Sequence, residues 1–201
     1  MSDSPLTVSR IKDAESHLRK FDPVMASLIR KHGPCYLSAR RGSAFHTLAT
    51  SIIGQQLSSK AAASLVRRVS TVAPRPFRPK DFSALTPETL RTVGLSLRKA
   101  NCLIMLAGRM TSGDLALARL RHLDNEQVVE ELTTIVGIGR WTAEMFLIFG
   151  VGRPNILSLA DAGLQRSARL LYGENASLEQ LGLLWSPWNS VASWYLWRHL
   201  D

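Results

Sequence analysis

The 201-residue sequence has only two cysteines, Cys35 and Cys102. Two cysteines alone cannot form a zinc cage or hold an iron–sulfur cluster, because each of these needs about four ligands. They also cannot build a disulfide framework in a chain of this length. We therefore expect a reducing cytoplasm as the setting of the protein.

The sequence also lacks long apolar segments. Residues 1–15 contain no apolar signal core, and their first basic residues are Arg10 and Lys12. No uninterrupted apolar run approaches the roughly 20 residues that span a bilayer. We therefore expect a soluble intracellular protein that makes no membrane contact.

Acidic side chains are few, since 16 Asp and Glu stand against 25 Lys and Arg and give a net charge of +9. Nineteen of the basic residues are arginine, whose planar guanidinium suits phosphate oxygens. A basic globular protein of this size most often binds a polyanion, and a protein that is merely basic is the alternative. The hydrophobic fraction of 45% excludes general disorder.

Strand signals are scarce, whereas helix start and stop signals recur along the chain. Apolar residues follow helical spacing over residues 8–20 and 23–31, and Gly33 and Pro34 end the second segment. Later helices are predicted to begin at Ser43, Ser58, Thr86, Asp124, Ser177 and Ser186. The pattern predicts an all-α protein of about ten helices.

Residues 132–143 read LTTIVGIGRWTA and predict two helices joined by a tight turn, the first ending at Ile135 and the second starting at Arg140. Gly137 and Gly139 let the backbone turn sharply and expose N–H groups, while Ile138 anchors the turn in the core. The positive end of the second helix can then hold a phosphate. By spacing alone, an ordinary helix corner with glycines for packing explains the pattern about as well.

Asp161 is the only acidic residue between Gly150 and Tyr172, and it lies 24 residues after Gly137. It precedes a helical run from Ala162, so an ordinary N-cap also explains it. A cap position holds a carboxylate still, so the capping and chemical roles are compatible.

Together these stretches resemble the HhH-GPD superfamily of DNA glycosylases, in its alkylbase branch. The resemblance covers about residue 43 to the end and includes three further segments, 51–58 (SIIGQQLS), 90–100 (LRTVGLSLRKA) and 187–197. Val136 replaces the usual proline of the hairpin, and Ala160 replaces a second acid that many relatives carry. We expect the chain to lack the N-terminal β domain of larger bacterial enzymes of this type.

The resemblance implies an all-α fold of two helical subdomains with the active-site cleft between them. Residues 1–201 would then form one glycosylase unit, with the helix-hairpin-helix at about 125–150. N-terminal helices over 7–42 and a C-terminal helix over 187–200 would pack together with the second subdomain.

The resemblance also assigns roles to individual residues. Asp161 becomes the catalytic carboxylate that stabilises positive charge on the sugar. The expected base pocket consists of Trp141, Met145, Ala162 and Trp197, where some relatives have tyrosines at positions 145 and 162. The expected DNA contacts are Gln56, Leu57, Ser58, Gly137, Ile138, Gly139 and Arg140. Leu57 fits a core position equally well.

No catalytic cofactor or metal is expected. The family implies at most a structural Na⁺ or K⁺ at the hairpin, held by the backbone carbonyls of Thr133, Ile135 and Ile138. Further phosphate contacts, or merely solvated faces, are predicted at Arg40, Arg41, Arg67, Arg68, Arg98 and Arg166.

Trp141 stands where the endonuclease III-like relatives carry a Schiff-base lysine, and no cysteine cluster follows Cys102. The resemblance therefore implies a monofunctional glycosylase that excises alkylated purines, 3-methyladenine foremost and 7-methylguanine as a further candidate, and leaves an abasic site. Its partner would be double-stranded DNA with damaged bases, bound by a monomer in the cytoplasm, at the nucleoid in a bacterium. The alternatives are a glycosylase for deaminated or mismatched bases and a non-catalytic DNA-binding hairpin protein.

Overall fold

A computed structural model of the chain describes residues 4–38 and 43–200. These residues form twelve α-helices, one short 3-10 helix and one π-helical turn, and no β-strand occurs among them. None of the helices in these two ranges is long and apolar enough to cross a membrane. The predicted all-α fold is confirmed.

The helices are short, between five and fifteen residues long. In chain order they are α1 Val8–Phe21, α2 Pro23–His32, α3 Ala44–Gly54, α4 Ser59–Val69, α5 Pro79–Ser83, α6 Pro87–Thr92, α7 Leu97–Thr111, α8 Asn125–Thr133, α9 Arg140–Met145, α10 Ala162–Tyr172, α11 Leu178–Trp185 and α12 Asn189–Leu200. The 3-10 helix is Arg119–His122, and the π-helical turn Phe146–Val151 directly follows α9.

The chain forms two compact units, one of residues 1–40 and 151–201 and the other of residues 41–150. The first unit contains α1, α2 and α10–α12. Within it, the C-terminal helix α12 packs on α2 and α10 and also contacts α1 and α11. The two ends of the chain therefore share one core.

Asp22 connects four elements of the first unit. One carboxylate oxygen accepts the amides of Val24 (2.8 Å) and Met25 (3.0 Å) and caps α2 directly after α1. The other accepts the Tyr172 hydroxyl of α10 (2.7 Å) and the Trp185 indole N–H of α11 (2.8 Å). Four donors compensate the burial of this carboxylate. Burial and the bond to Asp22 in turn raise the pKa of Tyr172.

The second unit is organised around α7, which packs against α3, α5 and α6. Helix α3 also packs on α4 and α9, and α8 packs on α9. Phe82 meets Phe45 and Phe77 edge-to-face, with ring centroids 5.5 and 5.3 Å apart, and all three rings are fully buried. This aromatic cluster joins α3 to α5 and to the segment that precedes α5.

Most predicted helix starts agree with the structure because their caps are local. Ser43, Ser58, Thr86 and Asp124 each accept a backbone amide three residues on, and Asp124 and Gln127 form a complete capping box.

Two helix bounds differ from the prediction. Helix α8 ends at Thr133 instead of Ile135, because the Ile135 amide bonds to the carbonyl of Leu132 and tightens the last turn. Helix α12 begins at Asn189 instead of near Pro187, because the Trp188 amide turns back to the carbonyl of Trp185.

The environment of His46 should make the stability of the second unit depend on pH. Its Nδ1 accepts the Phe77 amide at 3.2 Å, and burial together with Arg75 lowers the pKa of His46 below its ordinary value. The His46 imidazole therefore binds a proton more readily in the unfolded chain than in the folded chain. The stability from neutral His46 is present above pH about 6.5 and is lost as the pH falls through the lowered pKa.

The variant His46→Asn keeps an acceptor for the Phe77 amide but cannot titrate. We expect urea unfolding to show that the wild type loses more stability than His46→Asn between pH about 7.5 and about 5. Equal losses in the two proteins would contradict the role of His46.

Candidate functional site

The turn between α8 and α9 is compact and anchored in the second unit. The Ile138 amide donates to the carbonyl of Ile135 at 2.9 Å, and the Ile138 side chain is only 4% exposed. Val136, at the tip, is 71% exposed. The tip of the turn is therefore exposed to solvent, while the buried Ile138 side chain anchors the turn to the core.

The two glycines of the turn have different roles. Gly137 has φ +101°, and a Cβ there would lie 2.9 Å from both Cβ and Sγ of Cys102. Gly139 has φ −99°, which any residue adopts, and a Cβ there would meet nothing within 4 Å. The fold therefore requires glycine only at position 137. At Gly139 the space beside the backbone is open, so a ligand could approach the turn there.

Gly139 is the N-cap of α9 and offers no side chain to the first amides of that helix. Most other helices of this unit have a Ser, Thr or Asp at this place. N–H groups at a helix start carry partial positive charge and bind anions, phosphate in particular. The start of α9 is therefore suited to accept a phosphate oxygen.

Arg140, the first residue of α9, already has acidic partners. Its guanidinium donates to both carboxylate oxygens of Glu126, one of them at 3.1 Å, and lies 3.8 Å from Glu144. The bond to Glu126 raises the pKa of Arg140 and lowers that of Glu126. A phosphate at Arg140 would have to compete with this exposed pair.

The turn between α3 and α4 lies beside the hairpin in the same unit. Gln56, Leu57 and Ser58 are exposed, and Leu57, at 41%, does not take the core position that its spacing also allows. Gln55, just before them, donates from its amide nitrogen to the Gly137 carbonyl (3.0 Å) and to the Thr142 hydroxyl (2.9 Å). The two predicted DNA-contacting segments are thus directly bonded.

Lys99 of α7 also fixes this turn. Its ammonium donates to the carbonyls of Ile53 (2.8 Å) and Gln55 (2.7 Å), and burial lowers the pKa of Lys99. The sequence alone does not identify Gln55 or Lys99 as site residues. The available signals are a second glutamine beside Gln56 and a lysine within the family-like segment 90–100, and neither reveals a partner 44 to 87 residues away.

Asp161 lies in the first unit, at the N-cap of α10, and is 7% exposed. Its Oδ1 accepts the Leu164 amide at 2.7 Å and the indole N–H of Trp197 at 3.1 Å. A Cβ on Gly163 would come within 3.0 Å of the same oxygen. The carboxylate is therefore fixed by three contacts: a hydrogen bond from the first turn of α10, a hydrogen bond from α12, and close packing against Gly163.

The other predicted pocket residues are divided between the two units. Trp197 is half-buried and Ala162 exposed beside Asp161, whereas Trp141 is half-buried in the first turn of α9. Met145, at the end of α9, is buried in the second unit. The structure joins Trp197 to the carboxylate through its nitrogen, a contact that the sequence does not predict.

The predicted arginine contacts are mostly solvent-facing. Arg67, Arg68, Arg98 and Arg166 are exposed, and Arg40 and Arg41 lie outside the described residues. Within residues 4–38 and 43–200 no group of three His, Cys, Asp or Glu side chains could hold a metal ion. Backbone carbonyls at Thr133, Ile135 and Ile138 are of the oxygen type that binds alkali cations, and that of Ile135 already accepts one amide.

A family model described as "HhH-GPD superfamily base excision DNA repair protein" matches residues 49–188. The chain belongs to this superfamily. The match includes the hairpin, the turn of Gln56–Ser58 and Asp161, and it ends before Trp197.

Two curated relatives from Schizosaccharomyces pombe match this HhH-GPD chain almost end to end. One is DNA-3-methyladenine glycosylase 1, which is 30% identical over 95% of the chain and 88% of the relative. The other is the alkylbase DNA glycosidase-like protein mag2, 29% identical over 94% of each.

Solved structures agree with these matches. The Bacillus halodurans DNA-3-methyladenine glycosidase is 35% identical, with TM-score 0.71 over 92% of this chain and 87% of that one. The S. pombe 3-methyladenine DNA glycosylase Mag1, solved in complex with abasic DNA, is 29% identical, with TM-score 0.81 over 92% and 95%.

The geometry of the HhH-GPD hairpin predicts that alanine lowers the stability much more at Gly137 than at Gly139. Gly137→Ala forces a side chain into left-handed backbone and against Cys102, so we expect a loss of about 2–4 kcal/mol in unfolding free energy. Gly139→Ala should lose less than about 1 kcal/mol, the effect of a poorer N-cap residue. Urea unfolding of the two variants beside the wild type measures both values. Similar losses would show that Gly137 is not specifically required.

Proposed function

We propose that this chain is a monofunctional DNA glycosylase of base excision repair. Its substrate would be an alkylated purine in double-stranded DNA, 3-methyladenine foremost and 7-methylguanine in addition, and its product an abasic site. The observation that carries the proposal is Asp161, a carboxylate held by the Leu164 amide and the Trp197 indole in a chain of this superfamily. The names of the relatives above support the same substrate class.

DNA binding follows from charge and from the hairpin. A net charge of +9 attracts a polyanion at long range. The start of α9, where Gly139 supplies no side-chain cap, would bind one backbone phosphate, with Gln56, Leu57 and Ser58 at the minor groove. A Na⁺ or K⁺ on the hairpin carbonyls would add positive charge there. We further propose that the protein acts on DNA as a monomer.

Cleavage of the N-glycosidic bond builds positive charge on the sugar as the base departs. A fixed carboxylate beside the sugar stabilises that charge, as carboxylates do in glycoside hydrolysis. Asp161 would do this without reorganising, since its Oδ1 is already fixed by two N–H donors. Water then takes the place of the base on the sugar.

The leaving group supplies the remaining driving force. Alkylation at N3 or N7 makes the purine cationic, so it departs without a strong general acid. Aromatic faces attract such a cation by about 0.5–2 kcal/mol. Trp197, which is bonded to Asp161, is the proposed aromatic face for the base, with Ala162 beside the carboxylate. The pocket roles of Trp141 and Met145 stay predictions of the family resemblance.

Strand cleavage by the protein is not expected. A glycosylase that also cuts the backbone needs a free lysine amine for a Schiff base. The position two residues after Gly139 is Trp141. Lys99 has a lowered pKa, but its ammonium is bonded to two carbonyls of the α3–α4 turn.

The direct test is release of methylated bases from alkylated duplex DNA by the wild type and by Asp161→Asn. Asparagine keeps the cap oxygen for the Leu164 amide and removes only the charge. We expect the rate of release to fall at least about 100-fold while DNA binding is retained. Nicks should form only after hot alkali, since the product is an abasic site.

Other outcomes of the same test identify the alternatives. Tight DNA binding without release of any base would indicate a non-catalytic hairpin protein. Release of deaminated or mismatched bases in place of methylated ones would assign a different lesion class. Nicks before alkali treatment would contradict the monofunctional assignment.

The bond between Trp197 and Asp161 makes a second prediction. Trp197→Phe keeps an aromatic face but loses the N–H that donates to the carboxylate. We expect the single-turnover rate of base release to fall about tenfold or more, because hydrogen bonds to charged groups are worth about 1.5–3 kcal/mol. The affinity for a duplex with an abasic site should change little. A fall in affinity at an unchanged rate would show that Trp197 acts only as a pocket wall.

A further inference from the structure

The exposed turn of residues 55–58 is held by side chains from two other segments of the second unit. Gln55 uses its amide nitrogen for both the Gly137 carbonyl and the Thr142 hydroxyl. Lys99 donates to the carbonyls of Ile53 and Gln55. The turn is thus fixed through its backbone by Lys99 and tied to the hairpin through a side chain of its own.

The backbone of this turn needs such support. Gln56 has φ +58°, the left-handed region that is unfavourable for a residue with a side chain. Strained residues of this kind persist where surrounding contacts fix them, and they concentrate at functional sites. Leu57 and Ser58 follow in the exposed part of the turn, where Ser58 caps α4 through the Ala61 amide.

Helix α7 forms a common base for the turn and the hairpin. Lys99 and Cys102 are three residues apart and therefore lie on the same face of the helix. Lys99 holds the 55–58 turn, while Cys102 lies so close to Gly137 that a Cβ there would clash. Burial raises the pKa of Cys102 to about 11, which makes it an inert packing group. One helical face therefore sets the positions of both exposed segments.

We propose that Gln55 and Lys99 are positioning residues that keep the 55–58 turn in fixed register with the phosphate-binding hairpin. When the hairpin binds a backbone phosphate, the turn is then already placed to enter the duplex and fill the space of the extruded nucleotide. This inference rests on the proposed function, because it assigns DNA contacts to both segments. Its physical basis is preorganisation, since a turn that is ordered before binding loses little conformational entropy on binding.

The test uses Gln55→Leu and Lys99→Met, which remove the donors and keep the approximate side-chain size, with Lys99→Arg as the conservative control. Gln55→Leu leaves α7 unchanged, so it tests the inference even where Lys99→Met lowers the folded fraction. Thermal unfolding of each variant reports that fraction.

The first readout is the excision of 7-methylguanine opposite cytosine and opposite thymine under single-turnover conditions. A mispaired base needs less energy to leave the helix. We expect both variants to be slowed about tenfold on the paired lesion and less than about threefold on the mispaired lesion, and Lys99→Arg to stay near the wild type. Equal slowing on both lesions would overturn the inference and indicate a merely structural role.

The second readout needs no catalysis. A duplex is made with the fluorescent base 2-aminopurine beside a tetrahydrofuran abasic analogue. The fluorescence of 2-aminopurine rises when a protein side chain enters the duplex and separates it from its stacked neighbours. We expect Gln55→Leu and Lys99→Met at saturating protein to reduce the wild-type fluorescence gain at least about twofold. An unchanged gain would overturn the inference. If the wild type brightens the reporter but excises no lesion, the proposed glycosylase fails and the reporter alone decides on the positioning residues.

Discussion

The structure depends on how the ends of its short helices find hydrogen-bond partners. Each α-helix leaves four N–H groups at its start and four carbonyls at its end without intrahelical partners. A protein made of twelve short helices carries many such groups in proportion to its size. Side chains satisfy a large share of them, from Thr7 at α1 to Ser177 at α11.

The candidate functional residues lie at helix ends. Gly139 begins α9 without a side-chain cap, so an anion that approaches the helix start displaces no capping side chain. Asp161 caps α10 and accepts a second donor from Trp197, so the bonds that terminate the helix also fix the carboxylate. At the end of α3, Lys99 donates hydrogen bonds to the carbonyls of Ile53 and Gln55. Helix ends therefore position candidate functional groups in both units.

The sequence predicts the local parts of this arrangement and misses the distant ones. A cap such as Ser43 or Asp124 acts on an amide three residues away, so its pattern is visible in the sequence. Gln55 and Gly137 are 82 residues apart, and Trp197 and Asp161 are 36 apart. No periodicity encodes these pairs. The sequence spacing also does not distinguish Gly137 from Gly139. They differ in the positive φ angle of Gly137 and in its close neighbour Cys102 on α7, and neither is visible in the sequence.

The same geometry bears on the class of base that this site can remove. Asp161 is the only acidic residue from 150 to 172, so the segment that carries it supplies a stabilising charge but no second carboxyl to protonate a leaving base. A neutral base needs such a proton to depart easily, since general acids commonly contribute about 10²–10⁴-fold to the rate. A purine methylated at N3 or N7 is already cationic and has no such need. The charge that Asp161 supplies is therefore sufficient for the departure of such a cationic base.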